Sequence, residues 1–247
     1  DFTYDGTGQV ITGLSTSGRI KFVNNKDLVL PDVNMIGKRI TGIGNDAFAV
    51  DMAYVDVGKY DYNTDEGIET VKLPKYLETI GDNAFIYNSL TDLDFSKASY
   101  LTSIGETAFK GNHLTKVQLT DKVTSIGSGA FAANSITSIR MPHNSSFTVI
   151  PQAVFSMNIR LASVEIPPAV TEIGDMAFAG ARLTSLTIPS NVAKIGRKAF
   201  HLHHLSSLTV PGNVKEIGES AFEGTYKEQT LRTLVLNEGI ESIGRYA

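Results

Sequence analysis

Apolar positions along this chain keep one order of spacings, and the order returns every 22 to 24 residues. The stretch from Leu183 to Phe200 shows it most cleanly. Leu183-x-x-Leu186-x-Ile188 alternates apolar and polar positions, which predicts a short strand with Leu186 and Ile188 on one face. Pro189 has no N–H to offer a ladder and ends that strand. Val192-x-x-Ile195 supplies a second apolar pair. Gly196 then permits either a tight turn or a close backbone approach. Ala199 and Phe200 set a small and a large side chain side by side, a pair suited to a narrow interior.

The same columns recur along the chain. The first strand reads Val71/Leu73, Leu93/Phe95, Val117/Leu119, Ile139/Met141, Val164/Ile166, Leu186/Ile188, Leu208/Val210 and Leu234/Leu236. The phrase Ile-Gly-x-x-Ala-Phe begins at Ile43, Ile80, Ile104, Ile126, Ile173, Ile195 and Ile217. A divergent copy carries Pro151 after Ile150, and a last copy runs from Ile243 to Ala247. The aromatic column is Phe48, Phe85, Phe109, Phe131, Phe155, Phe178, Phe200 and Phe222. One such repeat cannot bury its own apolar face, so the coils must stack on one another. The expected fold is a repeat solenoid of short parallel β-strands, mostly β and irregular, with little regular helix. Residues 1–27 read as a cap segment and 28–247 as the solenoid, with an insertion at about 49–67. The last copy stops one residue short of its Phe, so further repeats or a cap are expected beyond it.

In a strand, alternate residues face opposite ways, so polar positions flanking the apolar pairs point outward. Stacking turns them into two columns. One is Lys72, Asp94, Gln118, Arg140, Glu165, Thr187, Thr209 and Val235; the other is Thr70, Asp92, Lys116, Ser138, Ser163, Ser185, Ser207 and Thr233. The later coils present mostly Ser and Thr, which exposed parallel ladders favour for structural reasons alone. The charged early patch of Lys72, Asp92, Asp94, Lys116, Gln118 and Arg140 is the better candidate for binding.

Composition changes the picture mainly by exclusion. The net charge of −4 provides no basic field for nucleic acid or anionic lipid, and there is no Cys to form a disulfide. No apolar run approaches the ~20 residues of a membrane span. Nucleophile elbows, phosphate loops, dinucleotide fingerprints and His-Glu-x-x-His are all missing, so catalysis and cofactors are not expected.

The phrase Leu-x-x-Leu-x-Ile-Pro-x-x-Val-x-x-Ile-Gly-x-x-Ala-Phe resembles the leucine-rich repeats of the BspA-like, or Treponema pallidum-type, family. The resemblance runs from about Leu28 to Ala247. It implies a right-handed leucine-rich repeat coil and a bacterial (or protist) cell-surface protein, often an adhesin that binds host or microbial partners. The implied partner is a protein or glycan, from the host or its extracellular matrix. A spacer that projects another domain from the cell envelope is the alternative.

Departures from the repeat hold the remaining chemistry. Phe48 and Phe85 lie 37 residues apart, and the intervening stretch holds Tyr54, Tyr60 and Tyr62 among acidic residues. That composition fits a solvated acidic loop or a degenerate half-repeat, or else a tyrosine-rich contact loop. Asp61-x-Asn63-x-Asp65 has the spacing that opens a calcium loop, but Glu66 stands where the turn glycine belongs and Lys72 where the closing glutamate belongs. A smaller insertion runs from Glu223 to Thr230. His201-Leu202-His203-His204 is the histidine cluster, expected at the surface.

Overall fold

The computed structural model describes residues 2–15, 17, 26–50, 67–224 and 230–247. The described residues form seventeen short strands stacked as a solenoid. In chain order they are β1 (Phe2–Tyr4), β2 (Val10–Leu14), β3 (Asp27–Val29), β4 (Gly42–Ile43), β5 (Thr70–Lys72) and β6 (Thr79–Ile80). There follow β7 (Ser103–Ile104), β8 (Lys116–Gln118), β9 (Ser125–Ile126), β10 (Ser138–Arg140), β11 (Val149–Ile150) and β12 (Glu172–Ile173). The last are β13 (Lys194–Ile195), β14 (Ser207–Val210), β15 (Glu216–Ile217), β16 (Thr233–Leu236) and β17 (Ser242–Ile243).

The longest ladders are not the ones the alternating Leu-x-Ile segments predict. They are built by the two residues that end in the isoleucine of the Ile-Gly phrase. One sheet runs β1-β2-β4-β6-β7-β9 and another β11-β12-β13-β15-β17. Among the described residues all strand-to-strand pairings are parallel except the β1–β2 hairpin, which starts the first sheet; Val33 and Arg39 form an isolated antiparallel bridge. The Leu-x-Ile segments pair only as β3–β5, β8–β10 and β14–β16. At Asp92–Phe95 the segment stays outside any strand. Its two aspartates are poor residues for a ladder.

The break between the two long sheets falls at the divergent Ile150-Pro151 copy. Each repeat's glycine donates its N–H to the isoleucine carbonyl one coil back: Gly105 to Ile80 and Gly127 to Ile104, each at 2.8 Å. Gly174 does the same to Ile150 at 2.8 Å. Pro151 occupies that position in the coil after Ile126 and has no N–H to donate. That rung is lost, the Thr148 N–H turns to the Ser146 carbonyl at 3.1 Å and not to the coil before, and the sheet ends at β9 and restarts at β11.

The same glycines settle which of their two uses applies. None of Gly81, Gly105, Gly196 or Gly218 sits at positive φ. A Cβ added at Gly196 would instead lie 2.6 Å from Asp175 N, and one at Gly81 2.6 Å from Asn45 N. The glycine is there because coils touch backbone to backbone. The left-handed turn residue lies two positions before each Phe, and it is rarely glycine: Asn83 (φ 54), Thr107 (φ 51), Met176 (φ 55), Lys198 (φ 56). That conformation costs an L-residue about 1 kcal/mol. It also aims every second N–H at the next coil. Asn83, Phe85 and Tyr87 donate to the carbonyls of Glu106, Ala108 and Lys110, all at 2.8 Å.

The core is one continuous column. Phe85, Phe109, Phe131, Phe155, Phe178 and Phe200 are wholly buried, with Phe48 and Phe222 nearly so. Successive rings stack with centroids 5.2 to 5.7 Å apart and planes within 17° of parallel. Phe95 fills the second apolar position of its Leu-x-Ile segment, usually held by an aliphatic residue, and meets Phe109 edge-on at 6.0 Å.

Candidate functional site

The outward columns lie where the alternation places them. Lys72, Asp92, Asp94 and Lys116 are exposed, while Gln118 and Arg140 are half-buried. Register puts Lys116 beside Ser138 and Gln118 beside Arg140, and Lys72 beside Val29. Each side chain projects from a strand or extended segment whose apolar neighbours, such as Val71, Leu93 and Val117, are held in the core.

Three of these residues are already committed to the protein: Gln118 donates from Nε2 to the Val117 carbonyl at 3.2 Å, and Arg140 and Asp94 are held more firmly. Arg140 Nη2 lies 2.9 Å from both carboxylate oxygens of Asp121, and Nη1 donates to the Leu119 carbonyl. Asp121 also accepts the His143 N–H at 2.8 Å. That bond first, and Arg140 second, holds the Asp121 carboxyl below its usual pKa. Arg140 is therefore a strut between coils. Asp94 accepts the Ser96 N–H at 2.8 Å, and its bonds to Ser96 hold its carboxyl below the usual range. Among the described residues Lys72, Asp92 and Lys116 make no ion pair, so their charges face solvent.

Tyr54, Tyr60, Tyr62, Asp61, Asn63 and Asp65 lie outside the described residues. Among the described residues, no three His, Asp or Glu side chains converge as a metal site would require.

The histidine cluster needs correction. His203 is 1% exposed rather than a surface residue. It stands in a column that the apolar pattern does not mark: Asn88, Asn112, Asn134 and Asn158, each three residues after its Phe and each buried. Asn134 shows the role. Its Oδ1 accepts the Leu114 N–H at 3.0 Å, and its Nδ2 donates to the Phe109 carbonyl at 2.9 Å and the Phe131 carbonyl at 3.1 Å. One amide thus satisfies groups from two coils. His203 does this differently. Its Nδ1 accepts the Leu205 N–H at 3.0 Å, which places the proton on Nε2, 2.8 Å from the Phe222 carbonyl. Burial, the largest cause, pushes its pKa below the usual imidazole value. Asn at Phe+3 was the signal that would have found this ladder.

A shallow trough of about 430 Å³ lies elsewhere, lined by His113, Ala133, Met157, Ile159 and Arg160 among others. It exists because the coils there carry Gly111 and Ala133 where Tyr87 and Met157 stand in neighbouring coils.

Comparison with known proteins agrees with this architecture. The family model for the BspA type leucine rich repeat region matches residues 51–157 and 143–247, in 6 copies. The chain is similar to a leucine-rich repeat protein from Bacteroides ovatus, 20% identical with a TM-score of 0.63; the match covers 100% of this chain and 77% of that one. It is also similar to a leucine rich cell surface protein from Faecalibacterium prausnitzii, 20% identical with a TM-score of 0.56. That match covers 96% of this chain and 52% of the other. A leucine-rich repeat protein from Eubacterium ventriosum is 18% identical, with a TM-score of 0.53 and coverage of 96% and 68%. At such identities the likeness is one of fold. No curated protein matches the chain.

Proposed function

The chain belongs to the BspA-type leucine-rich repeat family, and from that premise we propose that it is a non-catalytic binding module acting at a bacterial cell surface. Its ligand is a protein or glycan, met by the extended strand face and not by a pocket. The observation that carries this reading is the set of uncommitted charges. Lys72 and Lys116 stand exposed on strands paired to a neighbouring coil, and Asp92 stands exposed on an extended segment outside any strand, while neighbouring Arg140 and Asp94 are tied down. Charges held on a rigid frame lose little entropy on binding. The surface location is supported by the Faecalibacterium relative, described as a cell surface protein.

The test is binding of the chain to immobilised extracellular-matrix proteins and to a glycan array. Lys72→Ala, Asp92→Ala and Lys116→Ala together are expected to weaken the detected interaction about tenfold or more. An unchanged affinity would reject this face. The spacer reading draws on the carboxy-terminal coils, whose outward residues Ser185, Thr187, Ser207 and Thr209 are exposed and uncharged. It gains if no surface in either screen retains the chain.

A further inference from the structure

The amino-terminal coils carry an apolar knob that the strand face does not use. Val33 and Arg39 form an antiparallel bridge, and between them the chain turns through Asn34, Met35, Ile36 and Gly37. The turn is fixed in place. Asn34 Oδ1 accepts the N–H groups of Ile36 and Lys38, both at 3.0 Å, and its Nδ2 donates to the Gly8 carbonyl at 2.7 Å. Gly37 (φ 79) donates its N–H back to the Asn34 carbonyl at 3.0 Å. Yet Met35 is 96% exposed and Ile36 77%. A well-bonded turn thus points two adjacent large apolar side chains directly at water.

What surrounds the knob decides what it fits. Lys38 reaches back to the Thr7 carbonyl at 2.9 Å. The Arg39 guanidinium lies 4.5 Å from the Tyr76 ring centroid and Lys75 Nζ lies 5.4 Å from it. Tyr100, half-exposed, sits 6.1 Å from Tyr76. Two carboxylates lie nearby: Asp32, whose Oδ1 accepts the Lys75 N–H at 2.7 Å, and Asp5, which accepts the Thr7 hydroxyl at 2.8 Å in the turn that Lys38 reaches, against the three cations Lys38, Arg39 and Lys75. The order is an apolar tip, with cations and phenols behind it. A bilayer interface presents the complementary order: acyl chains, then a headgroup layer that favours Tyr, then anionic phosphates that attract Lys and Arg.

We propose that this knob docks the protein peripherally on an anionic lipid surface. Met35 and Ile36 enter the acyl boundary, while Lys38, Arg39 and Lys75 face the phosphates. The whole-chain charge of −4 argued against anionic lipid, but fields are screened beyond about 8 Å at physiological salt, so the local cations decide. The knob adjoins the strand face at Lys72 but uses none of Lys72, Asp92 and Lys116, so different variants test the two readings.

The experiment is co-sedimentation of the full chain with phosphatidylcholine vesicles, with and without phosphatidylglycerol. Retention is expected on the anionic vesicles and should weaken as salt rises. Met35→Asp with Ile36→Asp should lower it about tenfold, as should Lys38→Glu with Arg39→Glu. Met35→Ser with Ile36→Ser, a milder change at the same exposed tip, should lower it in the same direction. Arg182→Glu, an exposed cation in a distant coil, should leave it unchanged. The proposal is overturned if the parent chain ignores the anionic vesicles, if the tip variants bind as the parent does, or if Arg182→Glu causes an equal loss.

Discussion

Gly196 shows how much a single atom matters in a stacked coil. Its neighbours across the gap are Asp175 N and Asp175 Oδ1, both 2.6 Å from where a Cβ would stand. Backbone cannot yield as a flexible side chain can, so Gly196→Ala must push two coils apart. The expected cost is about 3 kcal/mol. Gly224, with nothing within 4 Å of its would-be Cβ, is the control and should tolerate Ala at little cost. Chemical denaturation of the two variants checks both. A similar midpoint for each would mean that close approach is not why the repeat keeps glycine.

At the scale of the element, the buried amide column ties each turn to its neighbours. Four coils use Asn, and His203 takes the same place with a group that titrates. Its Nδ1 is occupied by the Leu205 N–H and its surroundings are dry, so the folded state resists protonation. The unfolded chain takes up that proton near the ordinary value of 6.5. With the folded pKa depressed, this contribution to stability is intact above about 6.5 and is lost as pH falls below it. His201 and His204 add charge beside it and act in the same direction. Thermal melting at neutral and mildly acidic pH should show a drop that His203→Asn reduces. An equal drop in parent and variant would place the acid sensitivity elsewhere.

At the scale of the whole molecule, stability is a chain of nearest-neighbour contacts. Phe131 stacks on Phe109 at 5.5 Å and on Phe155 at 5.7 Å, while Phe48 has the single described partner Phe85. Phe131→Ala is expected to cost about 3–5 kcal/mol, and Phe48→Ala about 1–2 kcal/mol less. Equal costs would mean that the column does not act through its neighbours. The Pro151 break does not divide the molecule. Gly129, Phe131 and Ala133 donate across it to Gln152, Val154 and Ser156 at 2.8 to 3.0 Å, and Asn158 bonds back to the Phe131 carbonyl at 3.0 Å.

Much of this was legible in the residues themselves. The solenoid, the outward side chains and the inward columns as far as Val210 follow from one period, because each coil meets copies of itself and burial repeats with the sequence; in the last coil Leu234 and Leu236, expected inside, are 48% and 43% exposed. The divergent Ile150-Pro151 copy was visible as well, although its effect on the ladder was not. Which segment pairs most continuously, where the left-handed residue falls, and why glycine recurs were decided by the distance between coils. The same holds for the committed state of Arg140, the burial of His203 and the gathering of Lys38, Arg39 and Lys75 around Met35 and Ile36. A repeat in sequence states which residues share a column. How close the columns come, and which neighbours each side chain finds across the gap, exists only once the chain has stacked.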